Sequence, residues 1–448
     1  MNALTFPMPG GSRRRIAVIG AGVTGLGAAW ALSRRHAVTL YEKDSRAGGH
    51  AHTVDVDYDG QTIAVDTGFI VYNEINYPNL CALFGALGVP TEQSDMSFGV
   101  SFAGGALEWS GDSIGTLFAQ KRNILSVRHH AMWTEILRFN RIAARDLKSG
   151  VIGTQTLGAY LASRRFGASF RDRYLLPMGA AIWSMPNAEM LGFPAASFLS
   201  FFENHGLLSG FSTFPWRTVT GGSREYIRRI MADIDGDIRL GCGAASIRSI
   251  EGGVAVTDTR GATALYDDVV MACHPGQSLA LLADASPAER LALGGLRHAP
   301  NIAVLHRDPS LMPRRRQVWS SWNYLSDAQP GPDDTPVSLT YWMNRLQNID
   351  RATPLFVTLN PARPPRPELT FGTYEYAHPQ FDAAADNARE ALRRVQGQRH
   401  IWFGGAWSGH GFHEDGLKAG LEIAAALGAP APWGYAGRPR VFSPSDAA

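Results

Sequence analysis

The stretch IAVIGAGVTGLGAAWALSRRHAVTLYE, from Ile16 to Glu42, decides how the fold of this chain is interpreted. A short apolar run leads into a glycine turn, an alanine-rich helical segment follows, and a second apolar run ends at Glu42. This order of strand, turn, helix and strand is typical of a dinucleotide-binding unit. The sequence therefore predicts a nucleotide site at the first strand-to-helix turn, although an ordinary glycine-rich turn has the same local pattern.

The residues of this turn have separate predicted roles in holding the ligand. Gly20 makes the tight turn, and Gly22 lets backbone N–H groups approach a pyrophosphate at the positive end of the helix. Gly25 lets the helix pack closely on the strand. Val23 and Thr24 complete the predicted pyrophosphate cradle.

Two features after the second strand extend this prediction. Glu42 lies 22 residues past Gly20, near the spacing at which a carboxylate accepts hydrogen bonds from a ribose. Gly48 and Gly49 then offer bare backbone where side chains would collide with a ligand. A loop that needs positive φ explains the same two glycines, but the preceding motif favours ligand approach.

The composition is that of an ordinary globular protein. The chain has 448 residues, of which 45% are hydrophobic and 18% charged, and its formal net charge is +2. This length favours two domains, and the charge gives no reason to expect a nucleic acid as partner. The basic runs at 13–15 and 314–316 are short, but together they permit contact with an anionic lipid surface.

Cysteine usage and hydropathy indicate a reducing compartment. Cys81, Cys242 and Cys273 are isolated and odd in number, which argues against a disulfide framework or a metal site. No apolar run approaches the length of a membrane span, and the first residues lack the apolar stretch of a signal peptide. We therefore expect a cytoplasmic protein, with peripheral contact at the inner face of the membrane as an alternative.

The apolar pattern divides the rest of the chain into segments of different periodicity. Helical spacing gives way to an aromatic stretch, then to a period of two that indicates an antiparallel meander. A buried strand suited to a parallel sheet follows, then a second excursion, and finally a strand, a glycine pair and a helix. In order, these segments are 77–179, 183–216, 238–267, 268–272, 281–394 and 401–427. The chain therefore leaves the first unit twice and returns to it twice.

The aromatic stretch has two interpretations. Its large rings are interleaved with Gly, Pro and Ser; they are Trp183, Phe193, Phe198, Phe201, Phe202, Phe211, Phe214 and Trp216. An aromatic core under irregular loops explains the pattern. An apolar substrate cavity explains it equally well, because ligand sites are mostly apolar with a few polar groups.

Three sets of glycine motifs resemble those of the flavin-containing amine oxidase superfamily, which also holds protoporphyrinogen oxidases and carotenoid desaturases. They are the N-terminal turn, Arg46-Ala47-Gly48-Gly49, and the C-terminal Gly404-Gly405, Gly416-Leu417 and Ala419-Gly420. The resemblance implies an α/β fold in which a discontinuous Rossmann-like FAD-binding domain is interleaved with a mixed-sheet plus helical substrate domain. The implied segments are 14–75, 215–280 and 396–430 for FAD, 76–214 and 281–395 for substrate, and 431–448 as a tail.

Less general motifs resemble a bacterial group of FAD-dependent oxidoreductases that accompany cyclopropane-fatty-acid-synthase-like methyltransferases. They are DTGFIVYN (66–73), YPNL (77–80), PMGAAIWSMP (177–186), NHGLL (204–208), YWMNRLQ (341–347), TLNP (358–361) and GFHEDG (411–416). The resemblance implies removal of hydride from an apolar substrate, specifically desaturation of a methylated, phospholipid-linked fatty acyl chain on the route to furan fatty acids.

The same resemblance implies a methyltransferase as a candidate partner and leaves several alternatives open. Among enzymes, these are an amine oxidase and a polyene or carotenoid-type desaturase. From another class, the alternative is a FAD-bound, non-catalytic partner of a lipid methyltransferase. The chain has no second strand–glycine–helix unit for a nicotinamide cofactor, so oxygen, a quinone or a partner protein is expected to reoxidise the flavin.

The superfamily also implies roles for residues outside the N-terminal turn. Gly49 and His50 would lie beside the phosphates or the ribityl chain, Ile247 beside adenine, and Gly405 and Ala406 at the pyrophosphate. Gly416 and Leu417 would begin the last helix, whose positive end would stabilise negative charge on the reduced flavin.

Two departures from the superfamily pattern affect the cofactor. The usual Gly-Gly-Arg is Gly48-Gly49-His50 here, which replaces a fixed positive charge with an imidazole. The cysteine that carries a covalent flavin in monoamine oxidases has no counterpart between Gly405 and Gly416. We therefore expect FAD to be held non-covalently.

The predicted catalytic residues are histidines that could accept a proton or orient the substrate. His413 is placed best, just before the predicted flavin-facing helix, and His50 and His306 are the other candidates. Glu414 and Asp415 are further candidate bases, and Asn344 and Gln347 are candidate hydrogen-bonding groups.

Overall fold

The structure is a computed structural model that describes residues 13–183, 185–204, 206–208, 215–332, 338–381 and 383–433. Phe211 and Phe214 of the aromatic stretch lie outside the described residues. The same is true of the predicted tail from residue 434 onward.

The strands alternate with helices along the chain. In order, the strands are β1 (Arg15–Ile19), β2 (Ala37–Tyr41), β3 (Thr53–Tyr58), β4 (Gln61–Asp66), β5 (Val71–Asn73), β6 (Thr91–Ser94), β7 (Phe98–Phe102), β8 (Leu107–Ser110), β9 (Trp216–Val219), β10 (Gly236–Arg239), β11 (Ala244–Ile250), β12 (Gly253–Asp258), β13 (Thr263–Tyr266), β14 (Asp268–Met271), β15 (His298–His306), β16 (Trp322–Ser326), β17 (Ser338–Trp342), β18 (Phe356–Leu359), β19 (Thr370–Pro379) and β20 (Ile401–Phe403).

The helices fall mostly between residues 114 and 204 and on the two faces of the first sheet. In order, they are α1 (Val23–Ser33), α2 (Pro78–Leu87), α3 (Ile114–Leu117), α4 (Val127–Ser149), α5 (Leu157–Ser163), α6 (Ala168–Phe170), α7 (Leu176–Trp183), α8 (Asn187–Met190), α9 (Ala195–Asn204), α10 (Arg224–Asp233), α11 (Pro275–Leu281), α12 (Pro287–Gly294), α13 (Met343–Leu346), α14 (Ala383–Val395) and α15 (His413–Ala426).

A five-stranded parallel sheet forms the first unit, in the order β10-β2-β1-β14-β20. In its centre, Val18 lies opposite Leu40 on one side and Val270 on the other. The strands come from three separate stretches, each inside one of the three segments predicted for the FAD-binding domain. The predicted α/β class is confirmed, while the domain boundaries stay a prediction.

The two faces of this sheet are covered differently. Ile16 and Val18 pack toward α1 and α15, whereas Ala17 and Ile19 pack toward the antiparallel meander β11-β12-β13 and helices α12 and α14. Burial on both faces explains why β1 is a continuous apolar run. Helices α12 and α14 pack on this sheet although both fall in segment 281–395, which was predicted for the substrate domain.

One strand assignment from the sequence is corrected. Residues from Ile238 onward were predicted to begin the meander, but β10 pairs in parallel with β2 at the edge of the first sheet. An edge strand has one partner and a partly exposed face, so it shows the same period of two as a meander strand.

A seven-stranded sheet forms the second unit, in the order β19-β15-β18-β17-β16-β7-β8. Its neighbours are antiparallel except β16 and β7, which run in parallel. Helices α4 to α9 share its core, which contains the fully buried rings of Phe139, Phe170, Phe198 and Phe202. The strands come from both segments predicted for the substrate domain.

Glycines bring α1 and α15 into close contact across the first unit. A Cβ at Gly420 would overlap the Thr24 carbonyl oxygen, and a Cβ at Gly27 would lie 2.5 Å from Leu417 Cδ1. Each helix therefore needs glycine where the other crosses it, because any side chain would push the backbones apart.

This contact predicts opposite effects for two helical glycine substitutions. Gly420→Ala should lower the free energy of unfolding by roughly 1–3 kcal/mol, the usual cost of overpacking. Gly85→Ala, in α2, should raise it by about 0.5–1 kcal/mol, because alanine costs less backbone entropy and its Cβ would meet nothing within 4 Å. Chemical denaturation of both variants measures the difference. Equal stability of Gly420→Ala and the parent would contradict the proposed helix contact.

Candidate cofactor and active site

The predicted cofactor motifs meet at the carboxyl ends of the parallel strands. Gly20 follows β1, Glu42 follows β2, His274 lies three residues after β14, and Gly404 follows β20. This edge is where ligands bind in open α/β sheets. The structure therefore brings segments from both ends of the chain to one crevice.

The glycine turn forms an open cradle at the start of α1. Gly20 adopts φ +102°, and its N–H donates to the Tyr41 carbonyl oxygen over 2.8 Å. A Cβ at Gly25 would overlap the Gly20 carbonyl oxygen, whereas a Cβ at Gly22 would meet nothing within 4 Å. No side chain caps α1, and no acidic residue occupies its first turn. The first N–H groups of α1, including those of Val23 and Thr24, therefore suit a pyrophosphate.

Glu42 is held beside this cradle by the backbone. Its carboxylate accepts from the Ala21 N–H over 2.7 Å and from the Asp44 N–H over 3.0 Å. A carboxylate has room for further acceptor bonds, so ribose hydroxyls fit the same group. The backbone next to Glu42 is that of Arg239 and Cys242, which exchange hydrogen bonds with it.

Ile247, predicted to lie beside adenine, is a fully buried residue of β11. Its carbonyl oxygen accepts from the Ala283 N–H over 2.9 Å. The stretch that directly abuts the Glu42 loop is instead 241–243, where a Cβ on Gly243 would lie 2.8 Å from Lys43 Cβ. Adenine contact at Ile247 stays a prediction.

Gly48 and Gly49 lie directly against the cradle. The Gly48 N–H donates to the Ala21 carbonyl oxygen over 2.8 Å, and Gly48 bridges to Gly22. A Cβ on Gly49 would approach the Gly22 Cα to 3.3 Å. Both glycines have positive φ, +115° and +57°. Left-handed geometry and close approach to the cradle are therefore combined in the same two residues.

The last helix begins earlier than the sequence predicted. Helix α15 starts at His413, three residues before Gly416. The Asp415 carboxylate accepts from the backbone N–H groups of His410 and Phe412 over 3.0 and 3.1 Å. This side-chain cap replaces the missing intrahelical partners and lets the helix start before the glycine.

The N-termini of α1 and α15 converge at Gly416. A Cβ on Gly416 would lie 2.8 Å from Val23 Cγ1 and 3.0 Å from Thr24 Oγ1, and 3.5 Å from the Cβ of Ala406. Leu417 packs on Gly27 in the next turn. Because helix N-termini carry partial positive charge, two of them aimed at one crevice favour an anionic ligand without a fixed cation.

The chain before α15 closes this side of the crevice. Gly405 has an extended backbone, and a Cβ there would overlap the Trp407 indole. The Trp407 Nε1–H donates to the Cys273 carbonyl oxygen over 3.2 Å, which ties this loop to the end of β14. Gly405 and Ala406 are therefore placed at the carboxyl edge of the sheet, as their predicted role requires.

His50 belongs to a cluster of aromatic and histidine rings that sequence reasoning missed. Its ring centroid lies 5.1 Å from Tyr376, 5.8 Å from His378 and 6.2 Å from His274, and His274 stacks on His298 at 4.3 Å. Two members lie at alternate positions of β19, so the period of two in 374–378 was the available signal. Among the described residues, no three His, Cys, Asp or Glu side chains are grouped as metal ligands.

Burial keeps these imidazoles neutral. Desolvation, with the neighbouring histidines, lowers the pKa of His50 and His298 to about 3 and that of His378 to about 4. Neutral imidazoles still donate and accept hydrogen bonds, and an anion beside them would raise their pKa. The cluster therefore fits a phosphate-bearing cofactor, with charge supplied on binding.

His413 is held between two aromatic side chains. Its ring stacks on Phe69 at 3.9 Å, and Nε2 lies 2.6 Å from the Tyr226 hydroxyl. Burial raises the pKa of Tyr226 well above its ordinary value, so the phenol stays protonated and donates to Nε2. Burial also lowers the pKa of His413 to about 3. A base that weak and already bonded suits orientation better than proton abstraction.

His306 is separated from the other predicted catalytic histidines. It lies at the opposite end of β15 from His298, nine residues along the strand. Its Nε2 lies 2.7 Å from Thr358 Oγ1, and its Nδ1 accepts from the Asp308 N–H over 3.1 Å. Both ring nitrogens thus have partners inside the seven-stranded sheet, which gives His306 a structural setting there.

The other candidate polar residues also have structural partners. Glu414 accepts from the Asn79 and Leu80 N–H groups, each over 3.0 Å, and so caps α2; burial raises its pKa to about 7. The Asn344 amide donates to the carbonyl oxygens of Asp350 and Thr353 over 2.6 and 2.8 Å and closes that loop.

Gln347 joins a buried network around Asp66 that sequence reasoning missed. Asp66 accepts from Thr53 Oγ1 over 2.6 Å, Ser223 Oγ over 2.7 Å and Gln347 Nε2 over 3.0 Å, and its N–H donates to Gln347 Oε1 over 2.8 Å. Burial raises the pKa of Asp66 to about 6 despite these bonds. The acidic first residue of DTGFIVYN was the available signal. The network fixes the loop whose Phe69 N–H donates to the His50 carbonyl oxygen over 2.8 Å.

The described part of the aromatic stretch is mainly a packed core. Trp183 packs on Phe193 and Phe201, each at 4.8 Å, and Phe201 stacks on Phe412 at 4.9 Å. At its margin, a cavity of about 270 Å³ is lined by Trp183, Phe193, Phe381, Arg389, Arg393 and the loop 408–410, among others. Core and cavity thus share the same aromatic side chains.

The fold and the cradle define a dinucleotide-binding flavoprotein of the amine-oxidase type. The chain matches the flavin-containing amine oxidoreductase family over residues 23–307. It belongs to this family and is a FAD-dependent oxidoreductase. Gly20, Gly22 and the C-terminal glycines lie outside the matched residues, so the structure is what joins them to the site.

Solved structures share the fold at low sequence identity. The CLA-producing fatty acid isomerase from P. acnes has a TM-score of 0.66 and 16% identity over 92% of this chain and 98% of that chain. Cyclohexylamine oxidase from Brevibacterium oxydans IH-35A has a TM-score of 0.65 and 16% identity over 93% and 99%. A putrescine oxidase variant has the same four values. No curated protein matches the chain.

The helices of the described residues were also compared with the requirements of a bilayer span. None combines the length and apolar character that crossing a membrane requires.

Filling the cradle should prevent cofactor binding without disturbing the fold. Gly22→Ala adds a Cβ into open space, so the apoprotein should keep its stability while its affinity for FAD falls tenfold or more. Gly111→Ala, also a site where a Cβ meets nothing within 4 Å, is the control and should bind FAD normally. Titration of apoprotein with FAD, with thermal unfolding in parallel, measures both quantities. Parent-like affinity of Gly22→Ala would place the pyrophosphate elsewhere.

The neutral histidines predict that the apoprotein loses stability in acid. Burial lowers the pKa of six histidines, at 50, 52, 298, 306, 378 and 413, from 6.5 to about 3–4. Below pH 6.5 the unfolded chain binds protons that the folded chain does not, so stability falls down to about pH 4. Asp66 and Glu414, with raised pKa values, act in the opposite direction but are fewer.

Bound FAD should reduce this acid sensitivity, because its phosphates favour protonated imidazoles. The positive Lys43 near His274 and Arg46 near His52 oppose that protonation and set its limit. Thermal unfolding of apoprotein and FAD-loaded protein from pH 7 to pH 5 measures both effects. A parallel fall in the two forms would show that the phosphates do not face the histidines.

Proposed function

We propose that this FAD-dependent oxidoreductase removes hydride from an apolar substrate and desaturates a methylated fatty acyl chain linked to phospholipid. The carrying observation is the apolar, uncharged character of the wall at the start of α15. Phe412 stacks on Phe201, and His413 stacks on Phe69 with its pKa lowered to about 3. Such a wall suits a hydrocarbon better than a charged group.

The carboxylates of the same helical turn support this choice. Glu414 caps α2, and Asp415 caps α15 itself. Neither is therefore arranged as a counter-ion for a substrate ammonium group. The cavity beside loop 408–410 continues the wall with Trp183, Phe193 and Phe381.

The proposed reaction breaks two C–H bonds on adjacent carbons and forms one C=C bond. When bound, FAD accepts the hydride and its two electrons, which later pass to oxygen, a quinone or a partner protein. The second hydrogen leaves as a proton, for which the cluster at His50 offers neutral imidazoles. The residues around His413 orient the chain and exclude water.

Anaerobic mixing of FAD-loaded protein with candidate substrates tests the proposal. We expect bleaching of the flavin by a methyl-branched, unsaturated acyl phospholipid and much slower bleaching by its unbranched analogue. Rapid bleaching by monoamines would instead support an amine oxidase, and bleaching by carotenoid precursors a polyene desaturase. Absence of bleaching with every compound would favour a non-catalytic partner of a lipid methyltransferase.

Two variants of His413 separate orientation from proton abstraction in that assay. His413→Gln keeps an oxygen that can accept from Tyr226 and should retain the rate within about tenfold, with an unchanged pH profile. His413→Ala should lose more while retaining FAD. A loss of about 10²–10⁴ in both variants, the usual size for a general base, would instead make His413 the proton acceptor.

A further inference from the structure

We infer that residues 114–128 form a docking surface for an anionic lipid bilayer. The surface is defined by the apolar side chains of Ile114, Ile124, Leu125 and Val127. These side chains are 74%, 53%, 89% and 82% exposed. Single exposed apolar residues are common, but consecutive ones mark a contact surface. Of the eleven large apolar side chains that the described residues leave exposed, four belong to this surface.

The backbone beneath these side chains is firmly held. His130 Nε2 lies 2.8 Å from the Ile124 carbonyl oxygen, and His129 Nε2 lies 3.1 Å from that of Leu117. Phe118 packs on both histidine rings at 5.2 and 5.5 Å. Ser126 caps α4 by accepting from the His129 N–H. The apolar tips therefore project from an ordered turn.

The charge around the surface is of one sign. Lys121, Arg122 and Arg128 lie within it, and the sequence between Asp112 and Glu135 contains no acidic residue. The exposed Arg314 and Arg316 lie next to it, because Gln317 donates to the Ala119 carbonyl oxygen over 3.0 Å. Within the described part of the chain, no carboxylate forms an ion pair with any of these five cations.

Apolar side chains ringed by unpaired cations match a bilayer with anionic headgroups. The apolar tips would enter the headgroup boundary, while the cations pair with lipid phosphates. The other basic run is used differently: Arg14 pairs with Asp268, and Arg15 lies over the Tyr266 ring at 5.5 Å. The surface extends the proposed function by bringing the enzyme to phospholipid, but its test does not depend on turnover.

Vesicle sedimentation of the full, FAD-loaded chain tests this inference. The parent should bind vesicles of equal phosphatidylcholine and phosphatidylglycerol at least tenfold more tightly than phosphatidylcholine alone, and added salt should weaken binding. Leu125→Ser with Val127→Ser should lower affinity tenfold or more. Lys121→Gln with Arg128→Gln should lower it on the order of 25-fold, from about fivefold per cation.

A matched control removes apolar side chains of similar exposure elsewhere. Leu265→Ser with Leu291→Ser, at positions 54% and 70% exposed, should bind within twofold of the parent. Unchanged flavin spectra and thermal midpoints establish that all variants are folded. Binding lost equally in the control, or a parent that ignores both vesicles, would overturn the inference. It would also fail if Leu125→Ser with Val127→Ser abolished only self-association, because a second copy would then be the occupant.

Discussion

The contact between α1 and α15 is the constraint on which the rest of the structure depends. It joins residues separated by most of the chain, and it needs Gly27 and Gly420 because neither crossing point has room for a side chain. The contact fixes Gly416 against Val23 and Thr24, so two helix N-termini share one crevice. The substrate-binding unit is made from the chain that leaves and returns between these helices. Cofactor binding and the order of the segments are thus set by the same packing.

The electrostatic character of the site follows from this arrangement. Helix N-termini supply partial positive charge, and the imidazoles around His50 stay neutral because they are buried together. A fixed cation of the kind found in the usual Gly-Gly-Arg motif is replaced by groups whose charge depends on the ligand. The wall toward the substrate, at Phe412 and His413, is apolar for a related reason. Its carboxylates are used as helix caps, and its histidine is bonded to Tyr226.

Local patterns predicted the parts of the site that are local in the chain. The turn from Gly20 to Gly25 and the carboxylate of Glu42 were predictable because their spacing is fixed by one strand–turn–helix unit. The start of α15 was placed three residues late, since the glycine was visible but the cap by Asp415 depends on loop geometry. The grouping of His50 with His274, His298 and His378 joins four distant segments through tertiary packing alone. The separation of His306 from that group has the same origin, because both ends of β15 look alike in sequence.

The identity and attachment of the cofactor in the purified protein test this account most directly. The convergent helix ends and the open space at Gly22 predict one FAD per chain, and the absence of a cysteine between Gly405 and Gly416 predicts its full release by acid. Precipitated protein should therefore be colourless, with FAD in the supernatant. A chain that binds no flavin, that releases FMN, or that keeps the yellow colour in the pellet would contradict the account.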